Sequence, residues 1–234
     1  MQNLKQLHIV IFTGGLYPDA ESTTLFWKTH PQPDYVIAAD SGLEACLAYK
    51  LNPCVILGDF DSISSPALLE LFGDDIKVPF PKDKDYTDTE LAIEKAHEIA
   101  DSRNAEPFIT LVGGDGGRAD HFLSIFDSFS ALHHPDVWLC QEQALYFLAE
   151  KRTLEVNGLK KTDVISIART TRQYDKGQIR SEGLEWEGQL FRKSGIPSLS
   201  NRISEESAKN RLPVRLTAEG ADFIVIAPHS AVVT

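Results

Sequence analysis

From His8 to Cys140 the chain alternates two patterns: short apolar runs rich in β-branched residues, and stretches in which apolar side chains recur three and four positions apart. The runs predict strands at His8–Thr13, Tyr35–Ala39, Cys54–Leu57, Ile76–Val78, Phe108–Val112 and Val137–Cys140. The helical patterns fall at Leu43–Tyr49, Pro66–Phe72, Asp88–Ala100 and Asp120–Leu132. Of these, Asp88–Ala100 is the best marked, because Thr87 and Glu90 have capping-box spacing and Ala92, Ala96 and Ile99 follow on one face. Strands and helices in this alternation predict an α/β domain over residues 1–150, with a mostly parallel sheet and flanking helices. Ligands of such sheets bind beyond the carboxyl ends of the strands.

After Glu150 the period shortens. Arg152–Val156, Val164–Ala168, Trp186–Phe191, Val214–Leu216 and Phe223–Ala227 alternate apolar and polar residues between Gly and Pro, which predicts an all-β sandwich domain over 151–234. The polar, irregular stretch Lys193–Pro213 reads as a long loop.

A net charge of −11 over 234 residues argues against a nucleic-acid partner, since phosphates would be repelled over most of the surface. An anionic ligand must be held locally. Cys46, Cys54 and Cys140 show no paired or metal-binding spacing, and no apolar run reaches membrane-spanning length, so the expectation is a cytoplasmic protein with no membrane partner.

Three clusters carry candidate chemistry. In Val55–Ser62 an apolar run ends in Gly58-Asp59-Phe60-Asp61. In an extended segment Asp59 and Asp61 point to the same side and can share a Mg²⁺, which needs few protein oxygens when phosphates supply the rest. The second cluster, Lys82–Asp88, packs Asp83, Asp85 and Asp88 between lysines and the capped helix. Lys84 can reach a phosphate, and Asp88 also suits the helix N-terminus whether or not it binds anything.

The third cluster, Gly113–His121, follows a strand and opens a helix, where glycines let backbone N–H groups converge on an anion. Arg118 can fork onto phosphate oxygens. The loop matches neither the Walker nor the dinucleotide fingerprint. His121 can cap the helix, touch phosphate or move a proton. Gly15 and Asp40 end two further strands on the same edge, as tight turns or as contacts to a nucleotide's sugar and base. In the second half, Trp186 is either core or a platform for a flat cationic ring, while Ser198, Ser200 and Asn201 are turn formers or substrate contacts.

The ordered set ADSG (39–42), GDFDS (58–62), DKDYTD (83–88), GGRADH (116–121), EGLEW (182–186) and SLSN (198–201) resembles the thiamine pyrophosphokinase family over nearly the whole chain. The first four motifs carry the likeness more specifically than the last two, and Ala119 departs from the aromatic residue often found there. The resemblance implies a homodimer that transfers the terminal diphosphate of ATP to thiamine and releases AMP. It implies Mg²⁺ near Asp59, Asp61 and Asp88, and a nucleotide held by Thr87, Arg118 and Asp120; Gly117 of the third cluster is a further nucleotide-binding candidate. It further implies thiamine contacts by Trp186 and Ser200 across the dimer interface. Asp85, Asp120 and His121 are the candidate general bases. Rival readings are a pyrophosphokinase acting on a pterin alcohol, a nucleotide-sugar glycosyltransferase with a DxD metal site, and a non-catalytic nucleotide sensor.

Overall fold

The computed structural model describes residues 4–170, 177–187 and 198–234. The chain divides into two compact units, one of Met1–Ala20 and Pro31–Gln141 and one of Glu21–His30 and Glu142–Thr234.

The first unit is a parallel sheet. Its strands are β1 (Lys5–Phe12), β2 (Tyr35–Ala39), β3 (Val55–Gly58), β4 (Lys77–Pro79), β5 (Ala105–Val112) and β6 (Val137–Leu139). They run in the order β6-β5-β1-β2-β3-β4, every neighbouring pair parallel. In β1, Ile9, Val10, Ile11 and Phe12 are all buried, as a strand covered on both faces requires. Register brings the strand ends level: Phe12 lies opposite both Ala38 and Val112, and Ala39 opposite Leu57.

In this unit α2 (Gly42–Ala48), α3 (Pro66–Glu70), α4 (Asp88–Ser102) and α5 (Ala119–Ser128) fill the crossovers. Thr87 caps α4 in the expected reciprocal box: its hydroxyl accepts from Glu90 N–H at 3.2 Å and the Glu90 carboxylate accepts from Thr87 N–H at 2.7 Å. The buried Ala92, Ile93, Ala96 and Ala100 give α4 its packed face.

The second unit begins before residue 150, because β7 (Gln143–Leu148) pairs along its length with β13 (Phe223–Pro228). It holds two antiparallel groups of strands. One runs β11 (Ser198–Asn201), β9 (Ile165–Arg169), β13, β7; the other runs β10 (Gln178–Glu182), β12 (Val214–Glu219), β8 (Thr153–Asn157), β14 (Val232–Val233). β12 alternates buried Val214, Leu216 and Ala218 with more exposed residues, one covered face, whereas Phe223, Ile224 and Val225 of β13 are buried on both.

Beside its strands this unit takes in a helix from the N-terminal part of the chain. α1 (Ala20–Thr29) has strand-favouring residues in Thr23, Thr24, Phe26 and Trp27, yet Phe26 is buried and stacks on His30 at 3.8 Å between ring centroids. Within the expected loop lie β11 and α6 (Glu205–Asn210), started by the Ser204 cap. The strand expected at Trp186–Phe191 is not formed where it is described, since Trp186 lies in a bend with Glu185 and Glu187 is irregular; positions 188–191 and the start of the polar stretch, 193–197, fall outside the described residues.

Candidate active site

The level ends of β1, β2, β3 and β5, together with the N-termini of α4 and α5, surround a cavity of about 270 Å³. Of the residues expected to act, Gly15, Asp40, Thr87, Asp88, Gly117, Arg118 and His121 line it. Asp59, Asp61, Lys84, Asp85 and Asp120 do not.

At one side of this cavity, carboxylate oxygens of Asp40, Asp59 and Asp88 lie within 4.8 Å of one another. Asp40 turns out of β2 with a left-handed φ of 50°, anchored by its N–H to the Leu57 carbonyl at 2.8 Å. Gly58 makes the approach possible: its φ is +138°, and a Cβ there would meet Asp40 Cβ at 3.2 Å and Asp88 Oδ1 at 3.3 Å.

Two of these carboxylates are left incomplete. Asp40 Oδ1 and Asp88 Oδ1 are buried atoms without a hydrogen-bond partner. Lys84 Nζ lies 3.2 Å from Asp88 Oδ1, near enough for an ion pair but not in hydrogen-bonding direction. Ser62 Oγ donates to the other Asp40 oxygen. Burial raises the Asp40 carboxyl above its ordinary range, Ser62 opposes that, and the neighbouring Asp88, Asp59 and Asp61 charges add to the rise. Carboxylates crowded in this way, two of them with a buried oxygen that accepts no hydrogen bond, are the donor set of a hard divalent cation.

Asp61 is not in this group, which corrects the expectation that it faces the same side as Asp59. Phe60 adopts φ 63°, so the segment turns instead of staying extended. Asp61 N–H donates back to Asp59 Oδ1 at 3.1 Å, and its carboxylate pairs with Lys82, whose hydrogen bond holds the carboxyl below its ordinary range. Asp40, read from sequence as a nucleotide contact, takes the third place in the cluster. Asp83 and Asp85 are exposed.

Opposite, the glycine loop bends through positive φ at Gly113, Gly114, Gly116 and Gly117. At Gly117 nothing lies within 4 Å of an added Cβ, so its φ of +70°, not crowding, demands glycine. Arg118 precedes α5 and forks onto Asp120, Nε to Oδ1 at 3.1 Å and one terminal nitrogen to Oδ2 at 2.6 Å. That hydrogen bonding holds the Asp120 carboxyl at about 2. Thr13 and Thr89, joined through their hydroxyls at 2.7 Å, tie the end of β1 to the start of α4 and also line the cavity. Ser41, Ser62 and Ser124 line it too and were not singled out from sequence; Ser124 stands one turn after His121 on α5, a spacing that could have marked it.

In the second unit Trp186 is half-exposed at 51%, so it is not core. Its backbone is clamped by Asn201, whose amide donates to the Trp186 carbonyl at 3.0 Å and accepts from Trp186 N–H at 3.4 Å. Asn201 is 1% exposed, which makes it a support for Trp186 and not a substrate contact as expected. Ser200, at φ 59°, donates its N–H to Ser166 Oγ at 3.1 Å, and its side chain is exposed; Ser198 is half-buried in the same strand.

An acidic oxygen cluster and a helix-terminal glycine loop on the carboxyl edge of a parallel sheet define an enzyme that handles phosphate groups. Residues 26–140 match the family model described as "Thiamin pyrophosphokinase, catalytic domain", so this stretch is similar to the catalytic domain of thiamin pyrophosphokinases. No curated protein sequence matches the chain.

Solved structures repeat the fold. A thiamin pyrophosphokinase family protein from Enterococcus faecalis matches with TM-score 0.67 and 20% identity over 95% of this chain and 98% of its own. Thiamin pyrophosphokinase from Geobacillus thermodenitrificans matches with TM-score 0.68 and 19% identity over 95% and 97%. The enzyme from Candida albicans matches with TM-score 0.69 and 14% identity over 97% and 92%. Among the described residues no helix is long and apolar enough to cross a membrane.

Proposed function

We propose that the protein transfers the terminal pyrophosphoryl group of ATP to the hydroxyl of thiamine, giving thiamine diphosphate and AMP. The observation that carries this reading is the convergence of Asp40, Asp59 and Asp88 beside the glycine-lined cavity. The two orphaned buried oxygens and the all-carboxylate donor set fit Mg²⁺. Asp40, Asp59 and Asp88 would hold it, and when bound it neutralises phosphate charge. Asp61 is one ion-pair exchange away.

The chain's own residues do the rest by positioning and charge. The hydroxyl oxygen of thiamine forms the new bond to the β-phosphorus, the bond from that phosphorus to the bridging α-oxygen breaks, and AMP leaves with the electron pair. The Gly113–Gly117 loop and the N-terminus of α5 cradle the phosphates, and Arg118 turns its fork from Asp120 to a phosphate oxygen. Of the three groups weighed as base, Asp85 and Asp120 lie off the cavity and His121 lines it, so His121 takes the hydroxyl proton.

Trp186 is the platform for the acceptor's cationic ring, which favours thiamine over a pterin alcohol. A homodimer is the working form; exposed Leu199 and Leu212, at 63% and 51%, support an apolar interface in the second unit. The test is turnover of thiamine with ATP, with Mg²⁺ and after chelation. Turnover that survives chelation contradicts the cation's role, and turnover of a pterin alcohol in place of thiamine contradicts the acceptor.

A further inference from the structure

The Arg202 guanidinium carbon lies 4.9 Å from the centre of the Trp186 ring. The indole is half open to solvent, and its backbone cannot drift because the buried Asn201 amide holds it from both sides. Arg202 is tied to the same scaffold by its main chain: its N–H donates to Asn201 Oδ1 at 2.9 Å, and its carbonyl accepts from Glu185 N–H at 2.9 Å. The bridge between Leu184 and Ile203 closes this local frame. The side chain is a different matter. Among the described residues the guanidinium has no carboxylate partner, although Glu185 and Glu187 flank Trp186. Glu185 pairs instead with Lys161 at 3.3 Å, and Glu187 accepts from Leu184 N–H at 3.2 Å.

Among the described residues the guanidinium is held by the ring and by no carboxylate, and such a contact is worth little at an exposed site.

We propose that Arg202 is a surrogate cation, which covers the Trp186 face in the free protein and is displaced by the positively charged heteroaromatic ring of the acceptor. This rests on the reading of thiamine as acceptor and deepens it by naming a residue that sets acceptor affinity. Arg202 competes with the substrate for one aromatic face. It also raises selectivity, because a neutral ring gains less from the indole than the guanidinium it must replace.

The test is the Arg202→Gln protein, with Arg202→Lys as the conservative control, assayed with ATP, Mg²⁺ and thiamine and checked for an unchanged melting temperature. Losing the competing contact at an exposed site lowers the thiamine KM about two- to five-fold, with kcat and the ATP KM unchanged. The lysine variant falls between glutamine and native. Quenching of tryptophan fluorescence by thiamine without ATP moves to lower concentration in the same order. A thiamine KM that is unchanged or raised in Arg202→Gln, with the native protein active on thiamine, overturns this inference alone. A native protein inactive on thiamine overturns the functional reading and this inference with it.

Discussion

Lys82 holds the carboxylate of Asp61 away from the group that Asp59 forms with Asp40 and Asp88. The pair is exposed on both sides, so it costs little to open. Asp61 therefore reaches a cation only by giving up Lys82. Measured with Mn²⁺ alone, Lys82→Ala leaves cation affinity unchanged or tightens it, and weaker binding contradicts the exchange.

Asp40→Asn gives the complementary result. Changing even a supporting partner of a metal ligand typically costs ~10- to 100-fold in affinity, so loss of a ligand charge weakens Mn²⁺ binding to the ATP-free protein at least about ten-fold. An affinity within two-fold of native removes Asp40 from the donor set.

How these acids group was only partly legible in the sequence. The strand alternation, the capped α4 and the glycine loop follow from local rules, and the structure places them as those rules require. The side on which Asp61 falls depends on a single dihedral, the left-handed φ of Phe60, a conformation that residue type does not favour. Asp40 joins the cluster because β2 and β3 pair in parallel with Ala39 opposite Leu57, a tertiary fact with no trace in the spacing of either motif. α1 was missed because the burial of Phe26 outweighs the β-leaning composition around it. Asn201 has a turn former's composition, but burial commits its amide to Trp186.

Arg118→Lys keeps the charge and loses the fork. A charged hydrogen bond is worth ~1.5–3 kcal/mol, so the ATP KM rises about ten-fold or more while the fold is retained. An unchanged ATP KM leaves Arg118 with only the task of neutralising Asp120.

Trp186→Ala separates platform from core. At 51% exposure its truncation costs well under the ~3–5 kcal/mol of a buried tryptophan. The thiamine KM rises several-fold and the ATP KM does not move. A large melting loss with an unchanged thiamine KM contradicts the platform role.

His8 makes stability depend on pH. It is buried beside Thr110, Nε2 to Oγ1 at 3.0 Å, and burial lowers its pKa below the ordinary 6.5. The unfolded chain then binds the proton more readily, so stability is full above pH 6.5 and falls as pH drops below it, toward the lower folded value. His97, lowered by burial and by His133, adds in the same direction. Denaturation midpoints at pH 7.5 and 5.5 show the loss, and His8→Asn shows less of it. An equal loss in both proteins contradicts the assignment to His8.

Pyrophosphoryl transfer to thiamine is tested most directly by the identity of both products. The protein is incubated with ATP, Mg²⁺ and thiamine, and both products are separated by chromatography. Thiamine diphosphate and AMP in equal amounts are the predicted result; ADP with thiamine monophosphate as the main products contradicts it.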